Sequence, residues 1–275
     1  MSSKKVVESS PLGKQSNYIT SYQPDLLYPI TRRQLWKETG LYSKQPYYGM
    51  DIWNAYEVSW LNRKGLPQMA LAQVCIPCGS QNIIESKSFK LYLNSFNQTH
   101  LTDQNELLQR LQQDLTQSAE GNVQVYLFGL DDPAMTVVPI SGECIDTQDI
   151  AINRYHPDTN LLQVTDAGYR QEKLYSHLLK SNCPVTGQPD WATLVVDYQG
   201  PTIDRAGLLA YIVSFRKYGD FHEQCVERIF LDILQHCKPE QLTVFARYVR
   251  RGGLDINPYR STKPLRFNHH RTLRQ

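Results

Sequence analysis

The amino-acid sequence lacks the segments that would direct it into or across a membrane. No apolar run approaches the roughly 20 residues that a membrane-spanning helix needs. The N-terminal stretch MSSKKVVESSPLGKQ has no apolar centre of the kind found in secretory signals. Excess charge is also small: 29 Lys and Arg residues stand against 27 Asp and Glu residues, which argues against general binding to nucleic acid or membranes. We therefore expect a cytosolic protein that binds neither.

The common signatures of nucleotide and hydrolase sites are missing as well. The sequence contains no G-x-G-x-x-G run, no Walker-type loop and no G-x-S-x-G elbow. A nucleotide would therefore have to be held in another way.

Cysteine is sparse, with six residues in a chain of 275, so we expect free thiols and not a disulfide scaffold. Cys75 and Cys78 have the spacing of a redox or zinc motif, but no second pair follows, and we favour core packing for both. His222-Glu223 begins like the zinc motif H-E-x-x-H, yet Val226 stands where the second histidine is needed. No metal site is predicted.

The apolar pattern predicts two similar halves. In the first, AYEVSWLNRKGLPQMALAQVCIP indicates a hairpin that turns at Asn62–Gly65, ESKSFKLYLNSF and LTDQNELLQRLQQDL have helical spacing, and NVQVYLFGL alternates as a strand does. The second half repeats this order with WATLVVDYQG, two helical stretches and QLTVFARYV. Because the strands precede and follow paired helices, we predict an α+β fold of antiparallel sheets with helices on one face.

A loop in the second half, SNCPVTGQPDW, is the first candidate for chemistry. Cys183 follows LYSHLLKSN, lies off its apolar stripe, and precedes a proline that prevents a helix from continuing. A thiol kept out of the core is a candidate nucleophile, and its electrophile needs an acid to protonate the atom that becomes negative. Asp190 is either that acid or an ordinary loop aspartate.

Three other stretches have both a functional and a structural interpretation. His222-Glu223 at a helix start suits a polar heterocycle, but Glu223 also fits a capping box with Asp220. ESKSFK is either a charged helix start or part of a site. RRGGLD is either a plain turn or a place where backbone approaches a phosphate beside arginines.

Taken together, ESKSFKLYLNSFNQT, LLKSNCPVTGQPDW, FHEQCVERIF and RRGGLDINPYR resemble the NADPH-dependent nitrile reductases that convert 7-cyano-7-deazaguanine (preQ0) to its aminomethyl product, preQ1. The resemblance is to the longer, two-module branch of that family. It implies tandem tunnelling-fold (T-fold) modules, a homodimer, and a role in queuosine biosynthesis on the free base. We place a lead-in at residues 1–45, the first module at 46–146, and a linker with the second module at 147–275.

The resemblance also implies roles for individual residues. Cys183 would attack the nitrile carbon to give a covalent thioimide, and Asp190 would protonate the nitrile nitrogen. Two NADPH molecules would then be consumed in turn. The substrate would be bound by Glu85, Ser86, Lys87, His222 and Glu223, and NADPH would be contacted by Lys87, Ser88, Arg251 and Gly252.

Two other functions remain open at this point. The same residue types suit a cysteine-dependent nitrilase or amidase, in which water and not hydride resolves the thioimide. A non-catalytic T-fold protein that binds purines or pterins is the second alternative. In that case, replacing Cys183 should leave ligand binding unchanged.

Overall fold

The structure is a computed structural model that describes residues 18–39, 47–265 and 270–275. Its described residues form two compact units, which divide between Thr136 and Val137. Residues 250–256 return to the first unit, and residues 47–49 belong to the second. The predicted boundary between 146 and 147 lies further along the chain than the observed division.

The first unit combines two small sheets with three helices. Strands β2 and β3 form an antiparallel hairpin, β5 pairs with β3, and β1 pairs with β4. The bounds are β1 (Pro29–Thr31), α1 (Arg32–Thr39), β2 (Tyr48–Leu61), β3 (Pro67–Pro77), β4 (Asn82–Ile84), α2 (Ser86–Asn94), α3 (Gln104–Ala119) and β5 (Gln124–Phe128).

The hairpin between β2 and β3 turns where the sequence predicts. Asn62 accepts hydrogen bonds from the amides of Lys64 and Leu66 through its side-chain oxygen. Gly65 has φ +80, a conformation that favours glycine. An Asn side chain that bonds nearby backbone, followed by a glycine with positive φ, is a turn signal that can be recognised in the sequence.

Helices α2 and α3 bury the faces that their apolar spacing predicts. Phe89 from α2 and Phe96, just beyond the end of this helix, are fully buried in the core of this unit. Leu107 and Leu111 from α3 are buried there as well, while Leu108 lies at the edge of the core. Trp53 on β2 packs edge-on against Phe89, with ring centroids 5.3 Å apart. These contacts confirm helices on one face of an antiparallel sheet.

The second unit repeats this arrangement with longer strands. Its sheet has the order β6-β7-β8-β9-β10, antiparallel except for the short β6, which runs parallel to β7. The bounds are β6 (Glu143–Cys144), β7 (Val164–Asn182), β8 (Pro189–Ile203), α4 (Arg205–Ser214), α5 (His222–Cys237), β9 (Gln241–Tyr248) and β10 (Leu254–Ser261). The last five residues of β10 belong to this unit.

One segment differs from its predicted conformation. LYSHLLKSN was interpreted as helical, but it is the end of strand β7. The register with β8 shifts between Ser176 and Leu179, which marks a β-bulge. A bulge adds a residue and breaks the period of two, so the apolar residues acquire a spacing that resembles a helix.

The start of α5 also differs from the capping-box alternative. Phe221, not Asp220, is the N-cap residue, and it makes no side-chain cap hydrogen bond. Asp220 instead accepts hydrogen bonds from the Phe221 amide and the Tyr218 hydroxyl. Among the described residues, no helix is both long and apolar enough to cross a membrane.

Candidate active site

The hairpin between β7 and β8 carries Cys183 and Asp190 at its closed end. Ser181 pairs directly with Asp190 in the ladder. The Cys183 amide donates to the Gln188 carbonyl at 2.8 Å, and the Gly187 amide donates back to the Cys183 carbonyl at 3.0 Å. The stretch is therefore a hairpin turn flanked by regular strand, and Asp190 lies on β8 and not in a loop.

This geometry brings the thiol and the carboxylate to the same face of the hairpin. Side chains alternate along a strand, so Asp190 faces the same side as its partner Ser181. The same alternation, extended one residue past the end of β7, brings Cys183 to that side. Diagonal neighbours of this kind have Cβ atoms roughly 7 Å apart. The pairing of β7 with β8 therefore accounts for the common location of the two residues.

Both side chains are buried, contrary to the expectation that the loop keeps the thiol out of the core. Cys183 is 6% exposed and Asp190 4%. The reason is the segment that leads into α5, which runs along the end of β7. Asn182 donates to the Tyr218 carbonyl at 2.8 Å and accepts from the Asp220 amide at 3.1 Å.

His222, the first residue of α5, completes this group. Its Nε2 lies 3.3 Å from Asp190 Oδ2, and its side chain is 11% exposed. The imidazole stacks on the ring of Tyr248, with centroids 3.8 Å apart and planes 10° from parallel. Its Nδ1 is buried and has no hydrogen-bond partner among the described residues. A carboxyl and an imidazole held this way can exchange a proton.

Glu223 follows His222 in the first turn of α5 and is 2% exposed. A carboxylate near a helix N-terminus is stabilised by the backbone N–H groups there. The structure therefore brings Asp190 and His222 into contact, with the buried Glu223 next to His222 in α5 and the buried Cys183 at the same end of the hairpin as Asp190.

Tyr248 is a member of this group that the sequence did not reveal. It is the last residue of β9 and is fully buried. No local pattern separates it from other strand tyrosines. Its contact with His222 arises because β9 pairs with β8, the strand that carries Asp190.

Three of the other cysteines have thiols that are poorly suited to act as nucleophiles. Burial raises the pKa of the Cys75 and Cys225 thiols to about 12 and that of Cys237 to about 11. Cys75 and Cys78 are almost completely buried and unbridged, which supports core packing. The part of the chain that the structure describes contains no cluster of His, Cys, Asp and Glu that could hold a metal ion.

In the first unit, Glu85 is the N-cap of α2. Its two carboxylate oxygens accept the amides of Lys87 at 2.6 Å and Ser88 at 2.8 Å. Burial raises the pKa of Glu85, and these two hydrogen bonds act in the opposite direction. The residue is fully buried, so its carboxylate has a structural role at the helix start.

Ser88 is also turned into the protein. It is fully buried, donates its hydroxyl to the Glu85 carbonyl at 2.7 Å, and accepts the Tyr28 amide at 3.0 Å. Ser86 and Lys87 are partly exposed. Of the residues predicted on this helix, Ser86 and Lys87 are therefore the ones that a ligand could reach in the described structure.

Arg251 and Gly252 lie in a tight turn between β9 and β10. The Arg251 amide donates to the Leu254 carbonyl at 2.8 Å, and the Leu254 amide donates back at 3.2 Å. Gly252 and Gly253 have φ +58 and +78. Consecutive residues with positive φ form the type I′ hairpin turn, which explains the paired glycines without reference to a ligand.

Two side chains pack against this turn. A Cβ atom on Gly252 would lie 2.9 Å from Lys90 Nζ, and one on Gly253 would lie 2.4 Å from Glu57 Cδ. Lys90 stands one helical turn after Lys87 on α2, so its place in ESKSFK could have identified it. The glycines thus allow lysine and backbone to approach each other closely.

Comparison with known proteins agrees with this architecture. Residues 18–127 match a family model described as nitrile reductase, 7-cyano-7-deazaguanine-reductase N-term, and residues 189–266 match one described as QueF-like protein. The first match lies in the first unit, the second lies mainly in the second unit, and together they cover more than half of the chain. Fold and matches define a two-module protein of the nitrile reductase class. The chain belongs to the QueF-type nitrile reductase family, and its modules are of the T-fold type.

A solved structure, the crystal structure of the archaeosine synthase QueF-Like in the apo form, is also similar. The two share 14% identity over 37% of this chain and 100% of that chain, with a TM-score of 0.31. This score is too low to support an inference about the present chain.

Proposed function

We propose that this protein reduces the nitrile of preQ0 to the aminomethyl group of preQ1, with NADPH as reductant. The proposal rests on the positions of two residues at the closed end of the β7–β8 hairpin. Cys183 and Asp190 lie there on one face, and Asp190 contacts His222 at 3.3 Å. Family membership supports the choice of substrate class, and the location of both residues at this end of the hairpin supports their proposed roles as nucleophile and acid.

In the proposed first step, the Cys183 thiolate attacks the nitrile carbon and Asp190 gives a proton to the nitrile nitrogen. The C–S bond forms, one π bond of the nitrile is lost, and a thioimide results. A protonated C=N group is a better hydride acceptor than a neutral nitrile. Asp190 must carry a proton when it acts, and contact with His222 offers a way to restore that proton.

Bound NADPH would supply hydride twice, first to the thioimide and, after exchange of the spent molecule, to the imine formed when Cys183 leaves. Lys87, Arg251 and the Gly252 turn would hold it. Gly252 has no Cβ, and Lys90 lies close to it. A cation beside exposed backbone is a suitable place for a phosphate group, and this supports the assignment. Direct contact by Ser88 receives no such support, since Ser88 is fully buried.

Substrate recognition would fall mainly to Glu223 and His222. A guanine-like edge presents adjacent N–H donors, and one carboxylate can accept two of them. Ser86 and Lys87 are retained as substrate contacts, and Glu85 would act while capping α2. The proposal further includes a homodimeric, cytosolic enzyme that acts on the free base, with no metal and no nucleic-acid or membrane partner.

Mass spectrometry under denaturing conditions tests the covalent step. After mixing with preQ0 and no NADPH, we expect the protein to gain the mass of one preQ0, and the adduct to disappear when NADPH is added. Cys183→Ala should show no adduct, whereas Cys237→Ala, which removes another buried thiol of the same unit, should still form it. An adduct that persists in Cys183→Ala would contradict the assignment.

Product analysis in the same experiment separates the alternatives. A nitrilase or amidase would release an acid or amide without consuming reduced nicotinamide. A non-catalytic binder would hold preQ0 equally well with and without Cys183, and would form no adduct. Formation of preQ1 with two equivalents of NADPH oxidised is the result that the proposal requires.

A further inference from the structure

A cavity of about 500 Å³ lies in the second unit, on the sheet formed by β7 to β10. We propose that it is a binding site for a small phosphate-bearing ligand of nucleotide size, separate from the candidate active site. The residues that carry this proposal are Lys173, Asp197, Thr243, Phe245, Arg247 and Ser261. A cavity of this volume falls within the range of small-molecule sites.

The strand register separates this cavity from the candidate active site. Asp197 and Asp190 are seven residues apart on β8, about 23 Å along a strand with a rise near 3.3 Å per residue. An odd spacing also puts them on opposite faces of the sheet. Leu194 and Val196 are fully buried and share the face of Asp190, while Asp197 faces the cavity.

Four lining residues form one row across the sheet. Lys173 pairs with Asp197, Asp197 with Thr243, and Thr243 with Ser261, so they occupy the same level on four neighbouring strands. The hydroxyls of Thr243 and Ser261 lie 3.0 Å apart. Neighbouring strands are about 4.8 Å apart, so the row spans roughly 14 Å of backbone and offers an ammonium group at one end and two hydroxyls at the other.

Cations converge on the same place. Lys173 Nζ lies 5.9 Å from the centre of the Phe245 ring, and Arg247 Cζ lies 5.8 Å from it. Arg247 is only 5% exposed, so its guanidinium is part of the cavity wall and not a solvated surface group. Phosphate suits both, since arginine binds its oxygens in pairs and lysine acts as a point charge.

The charge of the lining favours an anion. Its lysines and arginines are Lys173, Arg247, Lys263 and Arg271, and Asp197 is the one carboxylate among the lining residues that the structure describes. Burial raises the pKa of Asp197, and Lys173 lowers it. A ligand with a double negative charge would compensate the excess of positive charge in the lining better than water does.

The ring of Phe245 and a set of glutamines extend the site beyond one phosphate. Gln171, Gln199 and Gln241 line the cavity at the next level of the same face, where they pair across the strands. Side-chain amides and an aromatic ring suit the sugar and base of a nucleotide. This is why we specify a ligand of nucleotide size and not phosphate alone.

Isothermal titration calorimetry with two probes, inorganic pyrophosphate and adenosine 5′-diphosphate, tests the site on the full chain. We expect saturable binding of adenosine 5′-diphosphate, and we expect its affinity to fall at high salt. Lys173→Gln and Arg247→Gln should each weaken it at least tenfold, and Asp197→Asn should strengthen it severalfold. Lys217→Gln, an exposed lysine of the same unit outside the cavity, should change nothing.

The two probes identify the part of the ligand that is recognised. Tighter binding of adenosine 5′-diphosphate supports a nucleotide site, and equal affinities support recognition of the phosphates only. Absence of saturable binding by either probe would refute the proposal. Binding that survives in both Lys173→Gln and Arg247→Gln would refute it as well, and circular dichroism on each variant verifies that it folds.

Discussion

Tyr248 offers a direct test of whether the Asp190–His222 contact matters for turnover. Its ring stacks on the imidazole at 3.8 Å and both lie in the interior of the second unit. Replacement of Tyr248 by Leu removes the aromatic face but keeps an apolar side chain. We expect His222 to lose its fixed orientation, so that Asp190 spends less time in the arrangement needed for proton transfer.

The expected size follows from the stack. A buried aromatic pair contributes about 0.5 to 1.5 kcal/mol beyond its buried area, which corresponds to a loss of about 2- to 13-fold in kcat if the whole term acts in the transition state. Tyr248→Phe keeps the ring and should remain near the wild-type rate. The assay is steady-state oxidation of NADPH in the presence of preQ0, with kcat and KM determined across pH.

A matched control separates orientation from stability. Tyr211 on α4 is also a fully buried tyrosine of the second unit, and Tyr211→Leu should lower the free energy of unfolding without changing the pH profile of kcat. If Tyr248→Leu loses stability as Tyr211→Leu does but keeps the wild-type kcat and pH profile, then Tyr248 is core packing and the reasoning fails.

Three further predictions rest on other contacts. Asp190→Asn should lose turnover far more than preQ0 binding, and near-normal steady-state rates would remove Asp190 as the acid. In a Cys183→Ala background, which makes preQ0 binding reversible, Glu223→Ala should weaken this binding by about 1 to 3 kcal/mol, as measured by calorimetry. Unchanged binding would indicate that Glu223 has a structural role only. Asp51→Asn should lower the free energy of unfolding, measured in urea, by about 3 kcal/mol or more. The reason is that Arg32 Nη2 contacts Asp51 Oδ2 at 2.5 Å and both side chains are buried. A loss of less than about 1 kcal/mol would contradict this prediction.

The order of elements was predictable because each half has strong local periodicity. In the first half, three leucines recur at helical spacing and all are fully buried: Leu107, Leu111 and Leu115. The hairpin turn is indicated by Asn62 and Gly65. The end of β7 was not predictable in the same way. The bulge near Ser176 breaks the alternation on which a strand prediction depends.

The position of Cys183 at the same end of the hairpin as Asp190, and the contact of Asp190 with His222, could be predicted only through resemblance. Their proximity depends on the pairing of β7 with β8 and on the path of the chain into α5, and neither is encoded in local spacing. The sequence predicted a loop that keeps the thiol out of the core. The structure instead gives a hairpin turn with a buried one, because residues 218–220 run beside the end of β7.

Glu85 shows why a residue in a family motif need not have one role. Its carboxylate caps α2, a role that the sequence prediction assigned to no residue, since Ser, Thr, Asp and Asn are the usual caps. Each carboxylate oxygen has two lone pairs, and the amides of Lys87 and Ser88 occupy one on each oxygen. The Ser86 hydroxyl also donates to Oε1 at 3.4 Å, so capping leaves acceptor capacity for a base edge on Oε2. It also fixes the orientation of the carboxylate before any ligand arrives, so the substitution Glu85→Ala would remove a helix cap and a proposed substrate contact together.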